Sequence, residues 1–507
     1  MSLLGIDIGT TGCKAVLFDV YGTALASSYQ EYDVQRHQPG WAELDSLEVW
    51  NKIKACIAAV AAKAGNDAVQ ALAICSLGEA LVPISADGEI LGPSILNFDA
   101  RGAEFLPELR AGITPERLYS LNGNPLGNHY GLTKLKWVRQ YQPELYDKAD
   151  KFMLWGGLVG RLLGGEATVD YSLANRTLLF DLQSADWSSE LLAWGGIDGA
   201  KLPRTVPSGT AIGRVSAQMA EELGLSPETV IVSGAHDQCA NAVGAGVTSA
   251  GQAMYGMGTY ICIVPVYREI PPAAAMLERG LNTEHHAAPG VFVSFIYNQG
   301  GALLKWYRDT FAVMDKRLAA ETGGDIYRTL LAEMPEGPSG VLALPHFTAT
   351  GPPNFIDDSG GVLAGLRLET PRGAVLKGLL EGATYYLRES TEQLPGAGIA
   401  IERYVAVGGG AKSEPWIQLG ADILQKPFTR LKVTEAGTLG AAILAGVGAG
   451  VFGDAAEGAS MMVQPDATFE PNIELGARYT ARFGQYQRLY EPLRELLREL
   501  AAEATAS

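Results

Sequence analysis

Histidine and cysteine are scarce in this chain, and each scarcity closes off a class of chemistry. The 507 residues include six histidines, and these show no metal-ligand spacing. The five cysteines, at 13, 56, 75, 239 and 262, are scattered and contain no CxxC pair. A disulfide framework or a structural zinc site is therefore not indicated; reduced thiols in a cytoplasm fit better. Positive charge is also short, with 39 Lys and Arg against 56 Asp and Glu and a formal net charge of −17. That balance disfavours nucleic acid or an anionic membrane as a general partner, though it permits a local cationic pocket. No basic segment precedes the first apolar run, so no signal peptide is indicated. Long apolar runs are missing too. The two long uncharged stretches, 238–267 and 436–453, are broken by glycines and polar residues. They read as buried core of a soluble protein, because a membrane span needs about 20 mostly apolar residues. No GxxxxGK[ST] phosphate loop occurs, and the single GxGxxG, at Gly448, Gly450 and Gly453, opens no βαβ unit. Tight helix packing is the better reading of those glycines.

What the chain does have is length and glycine. Its 507 residues exceed what one hydrophobic core supports, so two or more domains are expected. Residues 3–19 read "LLGIDIGTTGCKAVLFD", two strand-forming runs around Gly9-Thr10-Thr11-Gly12. Glycines open backbone angles closed to other residues, so the stretch predicts a hairpin. It carries one buried-looking carboxylate, Asp7, and burying a carboxylate alone is costly. A cation, a metal or a bound ligand would offset that cost. A second hairpin is predicted at 253–263, turning at Gly256-Met257-Gly258-Thr259. This echo puts the domain boundary near residue 248, giving domains 1–247 and 248–507, and a cleft between two such halves commonly holds a ligand.

Between these marks the pattern alternates strands and helices. Strands are expected at 71–75, 80–85, 229–234 and 404–407. An amphipathic helix is expected at 46–64, with Leu47, Trp50, Ile53, Ile57 and Val60 on one side. Further helices are expected over 132–163, over about 415–424, and at the C-terminus, where Tyr479, Phe483, Tyr486, Leu489, Tyr490, Leu493 and Leu497 form a core-facing stripe. The hairpin turns and Gly408-Gly409-Gly410 offer close backbone approach and N–H donors to phosphate, with hydroxyls at Thr10, Thr11 and Thr259. Asp237, in "IVSGAHDQCANAVGAG", stands where a buried strand gives way to a helix. It reads either as a helix N-cap or as a catalytic carboxylate, and both roles could hold together.

At this point the residues carry a resemblance. DIGTTGCK (7–14), Asp237 in SGAHDQ, Gly258-Thr259 and "GGGAKSEPWIQLGADILQKPF" (408–428) resemble the FGGY carbohydrate kinases, across nearly the whole chain and in order. "NQGGALLKWYRD" (298–309) and "EAGTLGAAILAGVG" (435–448) resemble its second-domain segments. The resemblance implies an α/β fold of two actin-like (ribonuclease H-like) domains, each a mixed β-sheet flanked by helices, with the active site in the interdomain cleft. It implies ATP and Mg2+ as cofactors, with Asp7 facing the metal. Gly9, Thr10, Thr11 and Lys14 would approach the β- and γ-phosphates, with Gly258 and Thr259 opposite. Gly301, Gly409, Gly410 and Ala411 would border the ribose and adenine. Asp237 would accept the proton of the attacking hydroxyl.

The resemblance leaves the sugar open. "CSLGEALVPI" (75–84) is the segment that supplies sugar contacts in the family, and here it offers Gly78 and Glu79. Xylulose kinases carry a Met-His pair there and glycerol kinases an Arg-Glu pair, of which this chain matches only the glutamate. "FDAR" (98–101) resembles the family's Asp-x-Arg, so Asp99 and Arg101 are either pocket residues or a structural pair. His129 could reach the pocket, and His285-His286 read as edge-strand or loop residues. The leading expectation is an ATP-dependent kinase of a small ketose, alditol or sugar acid, with a homodimer held open as its assembly. The alternatives are a non-catalytic sugar sensor on the same fold and an actin- or chaperone-like ATPase.

Overall fold

The computed structural model describes residues 1–65, 68–433 and 435–506. The 3–19 stretch forms β1 (Ser2–Ile8) and β2 (Gly12–Asp19), and the chain returns along β2 as β3 (Ala24–Glu31). Helix α1 (Ser46–Ala61) follows, its first turn capped by Asp45, which accepts from the Leu47 and Glu48 amides at 3.0 Å. Its buried stripe is Val49, Ile53, Cys56, Ile57 and Val60. Leu47, expected on that stripe, is 56% exposed, and Trp50 is only half-buried. The stripe sits one helical row over because 49, 53, 56, 57 and 60 keep the i, i+4, i+7 spacing that Leu47 breaks.

Strands β4 (Val69–Ser76), β5 (Ala211–Arg214) and β6 (Val230–His236) complete a six-stranded sheet in the order β5-β6-β4-β1-β2-β3. β1, β4 and β6 run parallel and are buried along their length, as strands covered on both faces should be. Asp237 opens α2 (Asp237–Gly244) directly after β6.

The second half repeats the plan. β7 (Gly251–Met257) and β8 (Tyr260–Tyr267) form the second hairpin, and the short strands β9 (Glu284–His285), β10 (Phe292–Val293) and β11 (Ile296–Gln299) extend its edge. Helix α3 (Gly301–Phe311) comes next. β12 (Ile401–Val407) pairs parallel with β7, and β13 (Phe428–Leu431) pairs parallel with β12. Between these two strands lies α4 (Glu414–Leu424), and after them come α5 (Ala436–Gly448) and the antiparallel edge strand β14 (Pro465–Phe469). Pairing by pairing, β14-β13-β12-β7-β8-β11 repeats β5-β6-β4-β1-β2-β3. The echo in the sequence is thus a repeated sheet.

Two departures from the sequence pattern have physical reasons. The 132–163 segment is not continuous helix: Lys151–Leu154 is a strand paired with Leu81–Ile84. A short apolar run such as this suits strand and helix alike, and the partner strand decides. The C-terminal stripe is divided between helices Ile473–Tyr486 and Arg494–Ala506, joined by a tight turn at Glu491–Leu493 that contains Pro492.

The halves meet where α2 and α5 cross. A Cβ on Gly440 would lie 1.9 Å from the Ala240 carbonyl oxygen, and one on Gly244 1.9 Å from that of Ala436. Only glycine allows this backbone-to-backbone approach. One apolar cluster runs through the crossing, including Leu3, Val232, Val243, Met254, Leu439 and Ile443. The stretches 238–267 and 436–453 therefore resolve into short buried elements at this junction. Among the described residues no helix is long and apolar enough to cross a membrane. Gly448 ends α5 against Val232, consistent with packing rather than dinucleotide binding.

Candidate active site

In both halves the turns flagged in the sequence lie at the C-terminal ends of parallel strands. β1 leads to Gly9-Thr10-Thr11, β4 to Gly78-Glu79, β6 to Asp237, β7 to Gly258-Thr259 and β12 to Gly408. Strands that run the same way gather these turns at one end of each sheet, the usual ligand edge of an α/β fold.

Asp7 lies across from Lys14 on β2 and Cys75 on β4. The Cys75 thiol donates to Asp7 Oδ1 at 3.4 Å. Burial first, and then the charge of Asp237, push the Asp7 carboxyl up to about 7. A Cβ on Gly437, in the first turn of α5, would lie 3.1 Å from Asp7 Oδ2 and 3.4 Å from Asn241 Oδ1. Lys14 does not neutralise the pair alone, because its Nζ bonds Glu435 at 2.7 Å. A buried carboxylate such as Asp7, whose cross-strand Lys14 is already paired with Glu435, suits a hard divalent cation such as Mg2+, which takes oxygen ligands. The Gly9 amide donates to the Gly12 carbonyl at 2.9 Å and Tyr32 Oη to the Gly9 carbonyl at 2.7 Å, while Thr10 and Thr11 remain open to solvent.

On the facing half, the Gly258 and Thr259 carbonyls accept the first amides of α3. Gly301 N donates to Gly258 O at 2.9 Å and Ala302 N to Thr259 O at 3.0 Å. A Cβ on Gly301 would stand 2.5 Å from the Gly258 oxygen. Gly408 has φ +86°, and a Cβ on Gly410 would lie 2.8 Å from the Met257 Cβ. The structure thus brings Gly258, Thr259, Gly301 and Gly409–Ala411 around the end of β7, with open space beside Gly409.

Asp237 is the first residue of α2, and the capping position is His236, whose side chain makes no cap bond. The N-cap reading of Asp237 is therefore corrected by one residue: the capping position is His236, and the Asp237 carboxylate, 28% exposed, accepts hydrogen bonds from Gln238. Burial raises its carboxyl above the ordinary range, while His236 pulls it down. His236 Nε2 lies 3.3 Å from Asp237 Oδ1, and its Nδ1 lies 3.0 Å from Glu284 Oε1 on β9. Glu284 Oε2 is 3.4 Å from Arg176 Nη1. Arg176 Nε in turn donates to Glu79 Oε1 at 2.8 Å, and Nη2 bonds the same oxygen. Gly78 packs between, since a Cβ there would meet Arg176 Cγ at 3.2 Å and His236 Nε2 at 3.3 Å. Glu79 holds φ +52°, a left-handed angle that costs a non-glycine residue roughly 1–2 kcal/mol. The Arg176 ion pair and the Asn97 amide, 3.5 Å from Oε2, hold it there.

Asp99 and Arg101 stand apart from this chain. Arg101 Nε and Nη2 donate to Asp99 at 2.9 and 2.6 Å, Nη1 donates to Glu43 at 2.6 Å, and the guanidinium lies 3.8 Å over Trp41. The Ala42 amide donates to Asp99 Oδ2, the oxygen that also accepts from Arg101 Nη2, at 2.5 Å. Of the two readings left open, this geometry is that of a structural pair. His285 Nε2 and His286 Nε2 bond the Leu182 and Val247 carbonyls at 2.8 Å, so both are committed to packing. His129 stacks on Tyr130, with ring centroids 3.9 Å apart.

Sequence reasoning missed Arg176, Glu284, Glu435 and Asn241. Glu435 and Asn241 lie inside motif segments but carry no signal of their own, and Arg176 and Glu284 matter through long-range pairing. His236 was visible, since it sits inside SGAHDQ, but its role needed Glu284.

Comparison with known proteins identifies the family and the fold. Residues 2–244 match the model of the FGGY family of carbohydrate kinases, N-terminal domain, and residues 267–449 match that of its C-terminal domain. The chain is 28% identical over 493 residues to a xylulose kinase of Staphylococcus epidermidis, covering 96% of each. It is 30% identical over 517 residues to an autoinducer-2 kinase of Yersinia enterocolitica, covering 96% of this chain and 94% of that one. Among solved structures, xylulose kinase from Rhodospirillum rubrum superposes with a TM-score of 0.86 at 26% identity, over 98% of this chain and 100% of that one.

Proposed function

The chain belongs to the FGGY family of carbohydrate kinases, and from that premise we propose that it transfers the γ-phosphoryl group of ATP to a hydroxyl of a small neutral sugar or polyol in the cleft between its two sheets. The observation that carries this reading is the placement of two carboxylates at the ligand end of the first sheet, Asp7 near the end of β1 and Asp237 directly after β6, the strands that flank β4. Phosphoryl transfer asks a protein mostly for positioning and charge neutralisation, and the pair divides that work. Asp7 is the residue suited to Mg2+, which when bound would offset phosphate charge. Asp237 takes the proton from the attacking hydroxyl. Gly9, Thr10, Thr11 and Lys14 then serve the β- and γ-phosphates from residues 1–247. Gly258, Thr259, Gly301, Gly409, Gly410 and Ala411 serve the nucleotide from residues 248–507. Closing the halves excludes water and so limits transfer to it.

Gly78 and Glu79 are the sugar-side residues on this reading. The cations around them favour a neutral acceptor over a sugar acid. Arg176 is spent on Glu79 and Glu284, and Lys134 Nζ on the Asp99 and Arg101 carbonyls at 2.7 Å. A substrate carboxylate would meet Asp237 and Glu79, whose neighbouring cations Arg176 and His236 are already paired, and like charges brought together suppress binding. The same Mg-ATP assay run with ketoses, alditols and aldonates tests this. ADP release stimulated by neutral acceptors, with a phosphorylated product in the mass spectrum, is expected; equal stimulation by aldonates would overturn the neutral-substrate reading.

A further inference from the structure

The carboxylate assigned as base is the end of a buried chain of alternating charge: Asp237, His236, Glu284, Arg176, Glu79. Glu284, on β9 of the second sheet, is fully buried, and His236, at the end of β6 of the first, is 7% exposed. The His236 backbone is fixed as firmly as its ring. Its N–H donates to Ser172 Oγ at 2.8 Å, and the Ser172 hydroxyl donates to Asp170 Oδ1 at 2.5 Å. The Phe295 ring closes one side of the imidazole, edge to face at 5.4 Å between centroids. With a carboxylate oxygen at each ring nitrogen, the imidazole satisfies both only as a double donor.

We propose that His236, clamped by Glu284 from the opposite sheet, is a positioning residue that orients the Asp237 carboxylate toward the sugar hydroxyl and supplies the positive charge beside it. This rests on the kinase reading above and goes beyond it, because it gives the second sheet a hand in setting the base. The charged groups around His236 are consistent. Burial alone would lower its affinity for a proton, but Glu284 and then Asp237 outweigh burial and the repulsion of Arg176, and raise it to about 9. Asp170 and Glu79 add further negative charge, felt by His236 and Asp237 respectively, and the Cys239 thiol points at Glu284 Oε1 from 3.6 Å. Without the imidazolium, Asp237 would keep burial and Glu79 against it and bind its proton more tightly.

His236→Gln keeps a donor of similar reach and removes the charge. Its kcat–pH profile should show the acidic limb displaced upward, with kcat falling several-fold on that limb, recovering as pH rises, and the KM for ATP little changed. Glu284→Gln should move the limb the same way by less. A profile that keeps the wild-type limb, or a loss of kcat uniform across pH, would overturn the proposal, since a purely structural defect has no reason to move the limb. A second measurement uses the unmodified enzyme. In a 15N-histidine spectrum at about pH 8, one of the six imidazoles should still carry both protons. Six neutral imidazoles would overturn the proposal. That spectrum needs no turnover, so it judges His236 separately from the kinase reading, which fails on its own if no acceptor stimulates ADP release.

Discussion

On the proposed reading Asp7 on β1 and Asp237, directly after β6, do unlike work, and substitution separates them. Asp237→Asn preserves shape and removes the proton acceptor, so kcat should fall by about 10²–10⁴-fold while sugar and nucleotide still bind. Because the capping position is His236 and not Asp237, Asp237→Ala should cost less stability in thermal melts than the roughly 0.5–2 kcal/mol lost with a true cap. Asp7 gives a pH signature instead. Its folded-state value of about 7 lies above the ordinary 3.8, so between those values the folded chain holds a proton the unfolded chain has released. The burden is absent below that window and fully present above it, so stability falls as pH rises through it. Asp7→Asn should therefore stabilise the ligand-free protein by on the order of 1–3 kcal/mol near pH 8 and hardly at all near pH 4, read from urea midpoints. Asp7 and Asp237 were legible because a carboxylate beside a glycine turn or at a strand end has few cheap explanations. Glu284 and Arg176 were not, because their meaning lies in partners 48 and 97 positions away.

At the scale of elements, the hairpins were legible and their neighbours less so. A Gly/Thr turn between two strand-forming runs specifies its own pairing, and β1–β2 and β7–β8 formed as expected. The 132–163 segment misled because Phe152, Met153 and Leu154 continue the apolar pattern of the helices beside them, and only pairing with Leu81–Ile84 makes them a strand. The crossing of α2 and α5 was hidden for another reason: glycine in a helix reads as a weakness until a second backbone is seen against it. Gly440→Ala puts a methyl within 1.9 Å of the Ala240 carbonyl, where no flexible side chain can give way. We expect a loss of about 1–3 kcal/mol in urea unfolding, at the upper end of that range. Ala445→Gly, in the same helix and also fully buried, removes a methyl without forcing the backbones apart and should cost less, about 1 kcal/mol.

The molecule as a whole is one sheet plan used twice, with ligand-facing turns collected at one end of each copy. The repeat was visible as two similar hairpins, but the strand orders that make the halves equivalent were not, since parallel pairing joins residues far apart in sequence. The net charge of −17 is compatible with the proposed reading, in which the acceptor is a neutral sugar or polyol. The most direct test is ADP release by the wild-type enzyme and by Asp237→Asn, with Mg-ATP, in the presence and absence of a neutral ketose or alditol. The account predicts release that requires the acceptor, matches the phosphorylated sugar formed mole for mole, and nearly vanishes in Asp237→Asn. ATP hydrolysis at the same rate without acceptor, undiminished by Asp237→Asn, would contradict it.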